Sequence, residues 1–463
     1  MGAWRPSIGF RTSVDTLFFP AEPHRSGYDE MSSEHCRVQA AVLLACVLLA
    51  CRPNPATASS DVVGVGTSFA YAARPFLAPP HDLTYGLASL PQGRFPYQKT
   101  HPKFDRYAVY DKWTIAASAD RLRISNTTFS WNSSGTVENC LMLGNASCQF
   151  SGSDNTLNPE QRKLMPNAWL LPVMAGAVSI AFNLPNSTCP NSACATLMEL
   201  MIPREALANI FLGRIRQWSE LAHWNPALAS VQQSIELVVR SDGNGISETL
   251  SRALSSFSPE WNSKVGTSFN PRWPWSRFVA TSGQAMAIKI LATPFSLGYI
   301  SQMAATTFGV PVARISNALG VFIAPTLSGV RSAMDAFTDE LDELRAKGET
   351  VFFQSIVDPQ SRQNSSYAYP IAMFTYWAFD PAQLNCEVLQ DVLYLIYWAW
   401  TNPEAAQTAI EMGSSPISEA ARNIVILALA RLQCDRASPM VKVVMEVTPG
   451  CAPGKQALFE SDS

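Results

Sequence analysis

The sequence predicts an α/β fold. Short runs rich in β-branched and aromatic residues alternate along it with amphipathic helical segments, the pattern of strands and helices packed in layers. Its 463 residues, 47% of them hydrophobic, suffice for two or three domains or one large two-lobed unit. The 32 prolines and 24 glycines punctuate it often, as many short connections require.

In chain order, DVVGVGTSFA over 61–70 reads as a short buried strand running into a glycine turn. Trp113 to Ala117 reads as a second short apolar strand, ending at Ser118. Residues 125–165 are polar and weakly periodic, which predicts an inserted surface loop. From Ala168 to Asn183, AWLLPVMAGAVSIAFN has two strand-like apolar runs separated by a bend. Arg204 to Phe211 is helical by its period, Ile235 to Val239 is a β-branched strand, and Ser247 to Phe257 is a helix opening after a glycine-rich turn. Ile288 to Gly298 gives a helix end and a turn, and Ser328 to Lys347 an amphipathic helix with an acidic outer face. Tyr369 to Phe379 is strand-like, Val388 to Trp400 is an aromatic helix, and Asn423 to Leu432 a final helix.

Composition removes several function classes. With 34 basic against 37 acidic residues, a net charge of −3 and no long basic run, nucleic-acid binding is excluded as a reading. Five histidines leave little for a His-based metal site, and no metal or cofactor is expected. Neither a serine-hydrolase elbow, nor a Walker A sequence, nor H-E-x-x-H occurs. Gly64-x-Gly66 is half of a dinucleotide fingerprint and lacks its third glycine.

The N-terminal region points to export. Val38 to Cys51 is apolar for about 14 residues, whereas a membrane span needs about 20. It follows Arg37, begins soon after Met31 and leads into Ala56-Thr57-Ala58, so it fits a signal-peptide core with an A-x-A cleavage pattern. Residues 1–58 are then an extension and signal peptide with Met31 as the initiator, and the mature chain starts near Ser59. An uncleaved anchor is the alternative, as is a lipid on Cys51 of Leu48-Leu49-Ala50-Cys51 in a bacterial setting. Cysteine usage agrees with export: Cys140/Cys148 and Cys189/Cys194 are spaced to close small disulfide loops, leaving Cys386, Cys434 and Cys451 unassigned. N-x-S/T sequons stand at Asn126, Asn132, Asn145, Asn186 and Asn364, three of them crowded beside the first cysteine pair. A secreted, glycosylated, disulfide-containing protein is expected.

Val238 to Glu248, VVRSDGNGISE, carries the sharpest chemical signal. A strand delivers Arg240, a glycine turn frees backbone N–H groups, and a helix starts at once. Helix N-termini of this kind bind anions, and arginine adds charge-assisted hydrogen bonds to an oxyanion. The competing reading is an ordinary strand–turn–helix with Arg240 and Asp242 paired on the surface.

From Arg204 onward the sequence resembles the phosphate-binding receptor of bacterial high-affinity phosphate ABC transporters. The resemblance is carried by Ala208 to Trp218 (ANIFLGRIRQW), Asn225-Pro226, Arg240 to Gly245, Glu260-Trp261, Val265-Gly266, Trp273-Pro274 and Leu297-Gly298-Tyr299-Ile300. Upstream, Gly64 to Phe69 resembles the family's first glycine-rich strand and Ala117-Ser118-Ala119-Asp120 its Ala-Ser-Asp motif. The resemblance covers about 61–435 and implies the type II periplasmic-binding-protein fold: two α/β lobes, joined by a hinge, that close over a ligand cleft. It implies lobe one at 59–175 with 366–435, glycosylated in the insertion 125–165, lobe two at 176–365, and a polar tail at 436–463. By the family's motifs, phosphate is held by Ser68 and Phe69, by Ser89 in Tyr85-Gly86-Leu87-Ala88-Ser89, by Ser118 and Asp120, and by Arg240, Asp242, Asn244, Gly245 and Ile246. Asn244 and Ile246 stand where the family has a serine and a threonine, so two hydroxyl donors are replaced. The implied function is capture of inorganic phosphate without catalysis, by a monomer, with a membrane phosphate transporter as a further partner. The alternative is an extracellular interaction glycoprotein that kept the fold and lost or changed the ligand. A hydrolase is the poorest reading, because His81, His101 and His223 lie outside every motif.

Overall fold

The computed structural model describes residues 60–66, 109–121, 127–132, 140–141, 148–154, 156–157, 159–185, 199–346, 356–358, 365–429, 433–435 and 438–439. The segments expected to hold the signal peptide, Met31 and Cys51 lie outside these residues, as do Ser68, Phe69, Ser89, Cys189, Cys194 and the sequon asparagines 126, 145, 186 and 364.

The strands are β1 (Ser60–Gly66), β2 (Thr127–Asn132), β3 (Phe150–Ser153), β4 (Trp169–Asn183), β5 (Met201–Ile202), β6 (Glu236–Arg240), β7 (Phe278–Ala280), β8 (Ser296–Ser301), β9 (Arg314–Ser316), β10 (Phe322–Ile323), β11 (Ala372–Phe379) and β12 (Ser415–Pro416), followed by a short antiparallel pair, β13 (Gln433–Asp435) and β14 (Ser438–Pro439). Among the described residues nine of them form one sheet in the order β2-β1-β3-β11-β4-β8-β6-β7, with β12 along β4. A second small sheet runs β10-β9-β5. The helices are α1 (Val109–Arg121), α2 (Pro159–Leu164), α3 (Arg204–Phe211), α4 (Gly245–Phe257), α5 (Pro259–Lys264), α6 (Gly283–Ala292), α7 (Gln302–Phe308), α8 (Leu327–Ala346), α9 (Cys386–Thr401), α10 (Pro403–Glu411) and α11 (Glu419–Leu429). No helix among the described residues is long and apolar enough to cross a membrane.

Strand β4 is the spine of the sheet. Its first part pairs with β11 as far as Ala177 opposite Ala372, and from Val178 opposite Ser301 it pairs with β8. One uninterrupted strand therefore belongs to two half-sheets in turn. The sequence suggested two runs and a bend, but Trp169–Asn183 is continuous. The interruption it detected is Pro172, which has no N–H to give the ladder. The register shifts there, between Thr375 opposite Met174 and Tyr376 opposite Pro172, as a bulge.

Three further elements differ from expectation. Trp113 to Ala117 is not a strand; it lies inside α1. Val109, Tyr110, Trp113, Thr114 and Ala117 are all buried, and their spacing is that of one helix face, which a five-residue apolar run cannot reveal. Residues 125–165 are not merely an inserted loop, because they supply β2 and β3, the two parallel neighbours of β1. Sheet ladders are made by main chain, so polar side chains do not prevent pairing. Here Thr127 turns its hydroxyl inward to donate to the Asp391 carboxylate at 2.9 Å. The Asn132 sequon residue is the last residue of β2, opposite Val65. The last helix also starts earlier than Asn423, at Glu419, where Ser418 Oγ accepts the Ala421 N–H.

The remaining elements match the residues that predict them: β1, α3, β6, α4, α8, β11 and α9 lie within a few residues of their expected spans. A disulfide joins Cys140 to Cys148, with Cα atoms 5.5 Å apart, and packs against Leu157 and Met165 in a small buried cluster. Cys386, at the first turn of α9, is disulfide-bonded as well.

Candidate functional site

The strand directions define where a site forms. β1, β2 and β3 are parallel, so their carboxyl ends (Gly66, Asn132 and Ser153) share one edge. β8 is antiparallel to β4 and ends at Ser301 opposite Val178, where β4 changes partner; β6 runs parallel to β8 and ends at Arg240. The carboxyl ends of both half-sheets therefore face the same crossover. In open α/β sheets the crevice outside those ends is where ligands bind. A cleft at this place is lined from one side by Asp154 and Thr156, which follow β3, and from the other by Glu248, Thr249 and Arg252 of α4, with Tyr376 of β11 between them.

Arg240 is the last residue of β6. It is only 3% exposed, so its pairing with Asp242 is not the surface contact that the competing reading required. Arg240 Nε donates to Asp242 Oδ1 at 2.7 Å, and Nη2 donates to Oδ2 of the same carboxylate. A bidentate carboxylate fixes the guanidinium plane. Its backbone is fixed too: the Arg240 N–H donates to the Tyr299 hydroxyl at 3.1 Å and its carbonyl accepts from Trp273 Nε1 at 3.0 Å. Tyr299 bonds on to Ser247 Oγ at 2.8 Å, in the first turn of α4. Burial pushes the Tyr299 hydroxyl well above its ordinary pKa, so it stays a neutral hydrogen-bond group. Beneath the loop, Trp273 packs against Phe211 and Tyr299 with ring centroids 5.4 Å apart in each pair. The aromatic residues singled out in the sequence thus form the floor of the arginine loop. Gly243 has no room for a side chain, since a Cβ there would come within 2.7 Å of the Phe269 ring.

The two substituted positions are resolved by the geometry. Asn244 is the N-cap of α4: its Oδ1 accepts the Ser247 N–H at 2.9 Å, and its Nδ2 donates to the Asp242 carbonyl and to Ser247 Oγ. Its amide caps the helix and ties the loop together. Ile246 buries its side chain in the core and leaves only its N–H for binding. Gly245 and Ile246, at the first two helical positions, carry N–H groups with no intrahelical acceptor.

Ser118 and Asp120 are not brought to the strand ends; both lie in α1. Ser118 Oγ accepts the Phe129 N–H at 2.7 Å and donates to the Thr114 carbonyl at 2.6 Å. Asp120 accepts from Trp398 Nε1 at 2.8 Å and Asn402 Nδ2 at 3.3 Å, joining α1 to the end of α9. Ser153 and Asp154, at and directly after the end of β3, do stand at the strand ends. Asp154 is 8% exposed and immediately follows β3. The missed signal is the contiguous Gly152-Ser153-Asp154 after the apolar Phe150, in the segment read as surface loop.

A family model described as a PBP superfamily domain matches residues 110–380. The chain is 29% identical over 213 residues to the phosphate-binding protein PstS of Methanocaldococcus jannaschii, covering 44% of this chain and 51% of that one. To PstS of Pasteurella multocida it is 23% identical over 314 residues, covering 66% and 82%. Among solved structures, the ancestral soluble variant of the human phosphate binding protein aligns with a TM-score of 0.53 at 15% identity, covering 83% of this chain and 98% of that one. The match thus spans about half the archaeal relative and most of the bacterial one. The fold is the type II periplasmic-binding-protein fold expected from the sequence.

Proposed function

Because the chain belongs to the PBP superfamily, we propose that it captures phosphate in the cleft between two lobes and catalyses nothing. The observation that carries the proposal is that β6 delivers the buried Arg240 to the turn that opens α4, while the next turns of α4 face Asp154 across the cleft. Arg240 and the Gly245 and Ile246 N–H groups supply positive potential and donors. Asp242 orients Arg240, and Asp154 takes the role first assigned to Asp120. Ser68, Phe69 and Ser89 complete the ligand shell by resemblance. The proposed lobes are 59–175 with 366–435 and 176–365, and the partner change within β4 at Ala177/Val178 supports a hinge there. Export through the signal segment before Ser59 and delivery to a membrane transporter belong to the same proposal. The replaced hydroxyls favour the second reading, an interaction glycoprotein without phosphate.

Asp154 gives the first test. At neutral pH phosphate keeps a proton and sulfate has none, so a buried carboxylate accepts from the first and repels the second. Asp154→Asn is expected to weaken phosphate by about tenfold or less while admitting sulfate, because an amide donates to it. Calorimetry with both anions reads this out, and an unchanged phosphate-over-sulfate preference would remove Asp154 from the site.

A further inference from the structure

We infer that Arg252 is a second cationic contact for the bound anion, held ready by Glu248; the inference rests on the phosphate reading above. Gly245, Glu248, Thr249 and Arg252 are spaced i, i+3, i+4 and i+7, which places them on one face of α4. Three of the four line the cleft with Asp154, and Gly245 is the first residue of the helix, one turn before Glu248. Helical side chains lean toward the N-terminus, so Arg252 reaches back along that stripe. Its Nη2 meets Glu248 Oε1 at 2.8 Å, one turn nearer the anion end of the helix.

Energetics allow the switch of partner. The pair is partly solvated, with side-chain exposures of 40% for Arg252 and 19% for Glu248. Such a pair contributes little in water, so releasing Arg252 from Glu248 costs little. A hydrogen bond from a guanidinium to a phosphate in a closed, water-poor cleft is stronger. Closure therefore favours transfer of Arg252 donors to the anion. This also accounts for how the site functions without the two hydroxyls replaced at Asn244 and Ile246: a guanidinium from the same helix supplies donors and charge. Thr249 already anchors the stripe to the sheet through its contact with Met373 Sδ at 3.6 Å.

The pair makes a test in which ligand contact and a mere surface ion pair differ in sign. Arg252→Gln is expected to weaken inorganic phosphate binding by roughly tenfold to a hundredfold, the loss of a charge-assisted contact. Glu248→Gln is expected to tighten it a few-fold, because it removes both the competing acceptor and a repelling charge. Calorimetric titration of the full secreted chain at low salt, alongside thermal melts without ligand, measures both. A helix-surface pair with no ligand role predicts equal small losses in melting temperature and affinities unchanged within twofold in both variants; that result overturns the inference while leaving the phosphate reading standing. Absence of phosphate binding in the unaltered protein defeats both.

Discussion

Arg240→Ala is expected to weaken phosphate binding by about 3–5 kcal/mol, a loss of a few hundredfold or more. The magnitude follows from burial and from what is left behind. The side chain is 4% exposed, clamped by Asp242 in a bidentate pair, and its backbone is fixed by Tyr299 and Trp273. Removing it takes away a pre-oriented cation and leaves the Asp242 carboxylate facing the anion with no counter-charge. Much of the loss is therefore repulsion, and Arg240→Ala/Asp242→Ala should recover part of the affinity lost in the single variant. Calorimetric titration measures the effect directly. A loss under tenfold would reduce the loop to a structural turn.

The largest stability effect is expected at Arg204, away from the cleft. Its Nη1 and Nη2 donate to Asp358 Oδ1 and Oδ2 at 2.9 and 2.6 Å, and the guanidinium lies 4.5 Å over the Phe257 ring. Asp358 is 2% exposed in its side chain, holds a left-handed backbone at φ 47° and also bonds the Ser256 hydroxyl. One arginine thus ties the start of α3, the end of α4 and the segment 356–358 together. Removing it breaks a buried bidentate ion pair from one side, which typically costs about 3–5 kcal/mol. Urea denaturation of Arg204→Ala should show a loss of that size with an unchanged slope. Arg204→Lys keeps the charge but not the fork, and should fall between the two. A loss below about 1 kcal/mol in the alanine variant would mean that water replaces the pair.

What the sequence makes legible is what is local. The strand–turn–helix of 236–257 is readable because the β-branched run, the glycine turn and the helical period lie side by side, and the cap at Asn244 completes them. Asp154 was hidden by a long-range fact. Ser and Asp stand close together at 118–120 as well as at 153–154, and the pairing of β3 with β1 and β11 is what brings the second of these to the strand ends. β3 itself, Phe-Ser-Gly-Ser, is short and polar, and nothing in four residues announces a fully buried central strand. Trp113 misled for the converse reason, since a short apolar run fits a strand or one helix face. The cap made by Asn244 is likewise not legible from residue type alone; it shows only in the Ser247 N–H donated to its Oδ1.

The central claim is an oxyanion site selective for phosphate between opposed strand ends. Isothermal titration of the mature, folded protein with phosphate, arsenate and sulfate tests it most directly. The expected result is one saturable site per chain for phosphate, a similar response to the isosteric, protonated arsenate, and far weaker binding of unprotonated sulfate. A correctly folded protein that gives no binding heat and no thermal stabilisation with phosphate would contradict the claim.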